Sequence, residues 1–278
     1  MSIPLLRRSA VVLLILALTA PCARGEILQA GASRDNTIFQ NNPDNSLGGG
    51  VTFYAGKNSS QNSPRRGLIA FDLSGIPLGS TVNSVRLDLV LADVSGGETS
   101  PTRTTAIHKV LADWGDGTSG WGLGPGGTGQ GIAPPFPAGE TPATWRYQFY
   151  NTTEWSPAGG SFVATASAST LVGNTRGTTY SWTSADMLAD VQGWVNQPAG
   201  NFGWAIVGDE GASGTFRTFW SKEAYLVGAR TPPLPTGWFT GCEPKLVVDY
   251  TAVPEPSYLA VLAGGALALL TLRRLRRR

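Results

Sequence analysis

Apolar and polar residues alternate along the middle of the chain with a period of two, which is the pattern of strands buried on one face. In SVRLDLVL, for example, the odd-numbered positions from Val85 to Leu91 are all apolar. Clusters of Gly, Pro, Asn and Ser separate such runs and indicate turns. Many short strands with turns of this kind predict an all-β, jelly-roll-like β-sandwich. The predicted strands are 37–40, 51–55, 68–73, 85–91, 105–111, 144–149, 203–208, 215–221 and 245–250.

One segment has the period of a helix instead. Its sequence is TSADMLADVQGWVNQP, and Pro198 ends the run. Thr183 and Asp186 resemble a capping pair before the apolar positions. We therefore expect one short amphipathic helix that closes an end of the sandwich and packs its apolar stripe into the core. The stripe consists of Met187, Leu188, Val191, Trp194 and Val195.

Residues 1–25 have the organisation of a secretory signal peptide, and we expect them to form a signal helix. Arg7 and Arg8 supply its positive start, and an apolar run follows from Ala10 to Ala20. Small residues just before Glu26 place the start of the mature chain there. The alternative is an uncleaved membrane anchor.

The other end of the chain, 253–278, combines a Pro-Glu-Pro, an apolar run and an arginine cluster. As a helix, the apolar run from Tyr258 to Leu272 would span roughly 22 Å, which is less than a hydrocarbon core of ~30 Å. The arginines after it would hold that end in the cytoplasm, so the body must lie on the other side of the membrane. A marginal membrane-spanning helix of this kind suits a transient inner-membrane anchor that is removed by processing.

This C-terminal arrangement resembles the PEP-CTERM sorting signal of Gram-negative bacteria, with Pro254, Glu255 and Pro256 as its motif. The resemblance implies that an exosortase recognises the chain and cleaves it near the motif. It also implies release to the cell surface or the extracellular matrix. The alternative is a permanent tail anchor.

The charge of the chain changes sign when the two terminal segments are removed. The body, 26–252, keeps 13 basic and 18 acidic residues, so its net charge is −5, whereas the whole chain carries +2. A negative body argues against nucleic acid, which is bound by basic patches. The body also contains a single cysteine, Cys242, so it cannot form an intramolecular disulfide.

The body resembles the DNRLRE-type domain over most of residues 28–251, although the hexapeptide that names the family is absent. The resemblance implies a jelly-roll-like β-sandwich related to carbohydrate-binding modules, some of which bind acidic polysaccharides such as alginate. It also implies a binding or matrix role, without catalysis. The matching stretches are RRGLIAFDLSGIPLGSTVNSVRLDLVL, TWRYQFYNTTEW, the predicted helix, NFGWAIVGDEG, FWSKEA and EPKLVVDY.

Few residues of the body offer catalytic chemistry. His108 is the one histidine and lies in an alternating strand pattern, which argues against a His-rich zinc site or a Cys–His nucleophile. Carboxylate pairs for glycoside hydrolysis remain open. Asp209 and Glu210 are one such pair, although neighbours on a strand face opposite ways.

Asp113 and Asp116 are a second carboxylate pair, at a strand end that enters the Gly- and Pro-rich stretch 115–142. Turn formation is one explanation of these residues. The other is a Ca²⁺ site, because hard cations take carboxylate and carbonyl oxygens. The Asn- and Asp-rich stretch 35–45 is a further Ca²⁺ candidate, and no other cofactor is expected. The stretch 115–142 is too rich in Gly and Pro for regular structure and predicts a long loop.

Tryptophans are the stronger functional signal. Aromatic faces stack on sugar rings, and arginines pair bidentately with sugar carboxylates. Trp114, Trp121 and Trp238 lie in or near Gly- and Pro-rich loops, and we expect them to be exposed and to bind glycan. We expect Trp194 and Trp204 to be buried. The candidate arginines for an anionic glycan are Arg65, Arg66, Arg103, Arg146, Arg217 and Arg230.

Together these patterns predict an exported, surface-sorted and non-catalytic protein that binds or organises exopolysaccharide. A structural surface protein without glycan specificity is the first alternative, and a polysaccharide-degrading enzyme is the second. An exposed row of Trp with Arg or Lys on one sheet face would favour glycan binding. A cleft with two carboxylates at glycosidase separation would favour the enzyme.

Overall fold

The computed structural model describes residues 25–120, 129–229 and 241–253, and these residues contain twelve β-strands. These residues belong to one compact unit, Gly25–Val253. It also contains one α-helix, α1 (Ala185–Asn196), and short 3-10 segments at Gly97–Thr99, Pro198–Gly200 and Ala224–Ala229. The strands are β1 (Gly25–Phe39), β2 (Thr52–Lys57), β3 (Pro64–Phe71), β4 (Thr81–Val94), β5 (Arg103–Lys109), β6 (Tyr147–Phe149), β7 (Thr153–Glu154), β8 (Ala168–Val172), β9 (Thr179–Trp182), β10 (Trp204–Val207), β11 (Arg217–Trp220) and β12 (Lys245–Thr251).

The strands build a β-sandwich in which β1 and β2 join the two layers. Residues 25–31 of β1 pair with β12, and residues 32–39 pair with β3, with an irregularity between Ala32 and Arg34. The strand β2 likewise pairs with both β3 and β11. One layer contains β12, β4, β9 and β11, and the other contains β3, β10, β5 and β8, with antiparallel pairing throughout. The hairpin of β6 and β7 is separate.

The main hydrophobic core lies between the layers. Phe53, Leu87, Trp204 and Phe219 enter it from β2, β4, β10 and β11, and all four are fully buried. The prediction that Trp194 and Trp204 are buried is confirmed, and their rings pack edge to face with centroids 4.6 Å apart. The period-two pattern therefore identified the strands that supply this core.

The helix α1 packs its apolar stripe into the main core, as its period predicts. Met187, Val191, Trp194 and Val195 are buried in the main core, and Leu188 packs against it.

The start of α1 differs from the prediction by one residue, because Ser184 and not Thr183 is the N-cap. Ser184 Oγ accepts a hydrogen bond from the Met187 N–H at 2.9 Å, so it satisfies a free donor of the first turn. The Thr183 hydroxyl instead donates to the Val85 carbonyl at 2.9 Å and ties the helix start to β4.

A second core lies on the other face of β3 and β10. The long connection between β5 and β8 folds over this face and contributes Trp114, Trp145 and Trp155. These rings pack against Leu68 of β3 and Ala205 of β10, both fully buried. Both faces of β3 are therefore covered, which agrees with the apolar side chains on both faces of the stretch 68–73.

The described parts of the stretch 115–142 contain no helix and no strand, only an isolated bridge between Ile132 and Ser46. Among the described residues, none of the helices combines the length and the apolar character that crossing a membrane requires. The predicted signal helix and the predicted sorting helix lie outside the described residues.

Candidate functional site

Of the three tryptophans that we expected to be exposed, Trp114 lies within the described residues, and it is buried. Trp114 is 0% exposed, and its indole N–H donates to the Phe202 carbonyl at 2.9 Å. The guanidinium of Arg34 lies 4.6 Å from the centre of its ring. The prediction that Trp114 stacks on glycan is therefore wrong, because the connection between β5 and β8 packs this ring inward as part of the second core. Trp121, Trp238 and the sorting motif Pro254, Glu255 and Pro256 lie outside the described residues.

The two carboxylates proposed for Ca²⁺ are engaged by different cations. Asp113 Oδ1 forms an ion pair with Arg34 at 2.8 Å. Asp116 Oδ2 forms one with Lys222 Nζ at 3.0 Å. Across residues 25–120, 129–229 and 241–253, no group of three or more His, Cys, Asp or Glu side chains is arranged to hold a metal ion. The structure therefore does not bring Asp113 and Asp116 together as a calcium site.

The second carboxylate pair is also divided between two partners. Asp209 pairs with Arg103 at 2.8 Å, and Glu210 makes a bidentate contact of 2.8 Å per oxygen with Arg66. The two side chains therefore serve different arginines, as expected for neighbours that face opposite ways. His108 Nδ1 lies 2.9 Å from the Val163 carbonyl, on the face covered by the connection between β5 and β8.

A small cavity lies over three neighbouring strands at the junction of the two layers. Thr218 of β11 pairs directly with Tyr54 of β2 on one side and with Asp93 of β4 on the other. Tyr54 and Thr218 are on the outer face of these strands, because the alternate residues Phe53 and Phe219 enter the main core. Together they form the floor of a cavity of about 290 Å³.

Two loop segments wall this cavity. Residues 58–60 form one wall, and the Ser213 hydroxyl donates to the Ser59 carbonyl at 3.2 Å to hold it. Residues 129–130 form the other wall, and the Asn45 side-chain amide donates to the Gln130 carbonyl at 2.8 Å. The aromatic rings of Tyr54 and Phe216 meet edge to face at 5.7 Å inside it. The cavity is therefore a fixed pocket with an aromatic lining.

Arg65 of β3 also lines this cavity, which we call the Arg65 pocket, and it has an unusual environment. The residue is only 3% exposed, and its Nε and Nη1 atoms are buried without a hydrogen-bond partner. No ion pair or hydrogen bond reaches its guanidinium from the described residues. The rings of Phe39 and Tyr54 lie beside it, with centroids 5.7 and 6.0 Å from its central carbon. Burial lowers the pKa of Arg65 to about 10, against a smaller opposing effect of the Tyr54 phenol.

Two other polar groups line the Arg65 pocket, and neither supplies the missing partner of Arg65. Thr218 Oγ1 is also buried without a partner. The Asp93 carboxylate is held by Arg176 through two contacts of 2.7 and 3.0 Å to one oxygen, so it does not neutralise Arg65. A buried polar group without a partner carries a desolvation penalty, and such groups in native proteins call for an explanation. A ligand anion would supply the missing partner.

Arg217, which is also buried, and the half-buried Arg66 both have hydrogen-bond partners. Arg217 donates to the carbonyls of Val172, Thr215 and Phe216 and to that of Pro101. Arg66 donates to Glu210 and to a backbone carbonyl. Among the described candidates, Arg65 is thus distinguished by burial without a partner, which no sequence pattern reveals.

The comparison with known proteins adds no relative. No family model matches the chain, and no curated protein is significantly similar to it in sequence.

Proposed function

We propose that this chain is an exported, non-catalytic surface or extracellular-matrix protein that binds exopolysaccharide through the Arg65 pocket. The observation that carries the proposal is the buried guanidinium of Arg65, which lines a cavity and lacks an anionic partner among the described residues. Its chemistry favours an acidic polysaccharide, because a guanidinium pairs strongly with a carboxylate.

The lining of the Arg65 pocket suits a sugar residue. Tyr54 and Phe216 offer apolar ring surface, and a sugar presents both an apolar face and hydroxyl groups. Thr218 Oγ1 and the polar side chains of residues 58–60 can exchange hydrogen bonds with hydroxyl groups. Binding would therefore combine one charged contact with ring packing and neutral hydrogen bonds.

The same lining favours binding over catalysis. Asp93 is the one carboxylate among the described residues that line the pocket, and Arg176 holds it. Glycoside hydrolysis generally uses two carboxylates that flank the scissile bond. The alternatives, a structural surface protein and a polysaccharide-degrading enzyme, lack an observation of this kind.

The route to the surface belongs to the same proposal. Residues 1–25 would direct export, and residues 253–278 would hold the chain transiently in the inner membrane until an exosortase cleaves it near Pro254. The body would then be a jelly-roll-like domain of the DNRLRE type, presented at the cell surface or in the matrix. Support for this route comes from the sequence resemblance alone.

The test is retention of the purified protein on gelled acidic and neutral polysaccharides, with and without Ca²⁺. We expect saturable retention on an acidic polymer, without release of new reducing ends. Arg65→Gln should abolish it. Arg86→Gln is the matched control, because it removes one charge from an exposed ion pair with Asp88. Equal retention of both variants would refute the assignment of the Arg65 pocket, and retention on none of the polymers would favour the structural alternative.

A further inference from the structure

A second unusual cluster of charges surrounds Lys222, which lies two residues after the end of β11. Its ammonium lies 3.0 Å from Asp116 Oδ2 and 2.5 Å from Glu223 Oε1. Its backbone N–H donates to Asp35 Oδ2 at 2.7 Å. Asp35 and Asp116, from distant parts of the chain, and the adjacent Glu223 therefore cluster around Lys222. The proposed polysaccharide site does not involve them.

The carboxyl group of Asp116 is held in a defined orientation. Its Oδ1 atom accepts a hydrogen bond from the backbone N–H of Asp35 at 3.1 Å, while Oδ2 contacts Lys222 Nζ. A donor on one oxygen polarises the C–O bond and leaves the carbon more open to a nucleophile. The nitrogen of Lys222 lies 3.0 Å from Oδ2 of the same carboxyl group, so the amine is held beside the carbon that it would attack.

The cluster is largely removed from water. Asp35 is fully buried, and the side chains of Asp116, Lys222 and Glu223 are 24%, 20% and 12% exposed. Asp35 Oδ1 and Glu223 Oε2 are buried without a hydrogen-bond partner. The three carboxyl groups outnumber the one amine, so ionisation of all of them would leave an excess of buried negative charge.

Protons are therefore retained in the cluster. Burial raises the pKa of Asp35 well above its usual value, raises that of Asp116 to about 6, and raises that of Glu223. Burial alone would lower the pKa of Lys222, but the attraction of the three carboxylates outweighs it and raises that pKa. Protons can therefore pass between the carboxyl groups and the Lys222 amine within the cluster near neutral pH.

We propose that Lys222 and Asp116 condense to form an intramolecular amide bond. Glu223 Oε1 accepts a proton from the Lys222 ammonium and leaves a neutral amine. The amine lone pair attacks Asp116 Cγ, so that the N–C bond forms and the bond from Cγ to Oδ2 breaks. Two protons leave Nζ in all, and Glu223 relays them to Oδ2, which departs as water. Ammonium plus carboxylate becomes amide plus water, and no oxidant or cofactor is consumed.

The surroundings fit the product as well as the reactants. Lys222 Nζ already donates to the Gly48 carbonyl at 3.1 Å, and the amide N–H can keep this contact. The Asp35 N–H can continue to donate to Oδ1, which becomes the amide oxygen. Gly48 lets the backbones approach, because a Cβ there would lie 2.1 Å from the Asp116 carbonyl oxygen. The groups would therefore need little movement to react.

Such a bond would give residues 26–252 a covalent cross-link. It contains Cys242 as its single cysteine, so it cannot be cross-linked by an internal disulfide. An amide between residues 116 and 222 would tie the start of the Gly- and Pro-rich stretch to the end of β11. Unlike a disulfide, it does not depend on the redox conditions outside the cell.

The test is a peptide map of the denatured wild-type protein, isolated as the full chain, by tandem mass spectrometry. We expect one branched peptide that joins Asp116 to Lys222 and is lighter by one water than its two parts, with no tryptic cleavage after Lys222. Lys222→Arg keeps the charge and should abolish the branched peptide. Lys109→Arg, which alters another partly buried ion pair with Asp190, is the matched control and should retain it. Recovery of both wild-type peptides unlinked would overturn the proposal, whether or not any variant folds.

The role of Glu223 has its own readout. Formation of the branched peptide is followed over time after synthesis in the wild type and in Glu223→Gln. We expect the variant to react about a hundredfold more slowly, since a positioned proton-transfer group contributes that much. An unchanged rate would overturn the assignment of Glu223, and a bond from Lys222 to any residue other than Asp116 would overturn that of Asp116.

Discussion

Replacing Arg65 should separate binding from stability, because the residue is buried without an ionic partner. We consider Arg65→Met, which keeps an unbranched apolar stem and removes the charge. In the absence of ligand, the change deletes a buried charge that no ion pair or hydrogen bond from the described residues stabilises. We therefore expect the variant to be more stable than the wild type and unable to bind an acidic polysaccharide.

The magnitude follows from the electrostatics of the buried guanidinium. Lowering the pKa of Arg65 from 12.5 to about 10 corresponds to about 3 kcal/mol against the charged form. The variant also loses two cation–π contacts, with Phe39 and Tyr54, each worth about 0.5–1 kcal/mol. The free energy of unfolding should therefore rise by about 1–2 kcal/mol, which for a domain of this size raises the Tm by roughly 2–8 °C.

The assay is thermal and urea unfolding of the two proteins without ligand, beside retention on an acidic polysaccharide gel. Arg66→Met is the contrasting variant, since the neighbouring arginine is paired with Glu210 and donates to the Gly159 carbonyl. It should lose about 2–3 kcal/mol. The reasoning is refuted if Arg65→Met destabilises the domain by as much as Arg66→Met, because the guanidinium would then have a stabilising partner.

Three further changes test other parts of the structure. Trp114→Ala should lower the free energy of unfolding by about 3–5 kcal/mol, measured in urea, and leave retention per folded molecule unchanged, because this ring is core. Ser184→Ala removes the N-cap bond to Met187 and should cost about 1 kcal/mol in the same assay. Burial raises the pKa of Asp35, so the folded state binds a proton that the unfolded state releases, and stability falls as the pH rises through the folded value. Asp35→Asn mimics the protonated form and should flatten the fall of Tm above about pH 4, the ordinary value of an aspartate; an unchanged profile would contradict the raised pKa.

The strands that the sequence predicts are those in which one face is apolar. Strands β4 and β12 alternate clearly and were found within a few residues, and β10 was found as an apolar run that is covered on both faces. Strand β8 was missed because its apolar residues do not share a face: Leu171 is 67% exposed, whereas Val172 is buried. The first half of β1 was also missed, since it is stabilised by pairing with β12 at the far end of the chain. The alternation of apolar and polar residues therefore identifies a strand only where the apolar residues are also the buried ones.

The candidate sites were harder to predict because they depend on contacts between distant segments. Arg65 and Arg66 are indistinguishable in sequence, yet they face opposite ways on β3, and only the fold decides which one is paired. Asp116 was considered a Ca²⁺ ligand, but Lys222 occupies the position beside it. Trp114 was placed on the surface because it precedes a glycine-rich loop, whereas that connection covers β3 and buries it.

The two unusual charged sites act on stability in opposite directions. Holding the guanidinium of Arg65 without a partner costs about 3 kcal/mol, a large fraction of the 5–15 kcal/mol typical of a domain. An amide between Asp116 and Lys222 would close a loop of about 100 residues in the unfolded chain, and a cross-link of that span stabilises by about 4–5 kcal/mol on chain-entropy grounds. The second effect is large enough to offset the first. A domain linked in this way can therefore keep an unpaired cation ready for its ligand and remain folded outside the cell without a disulfide.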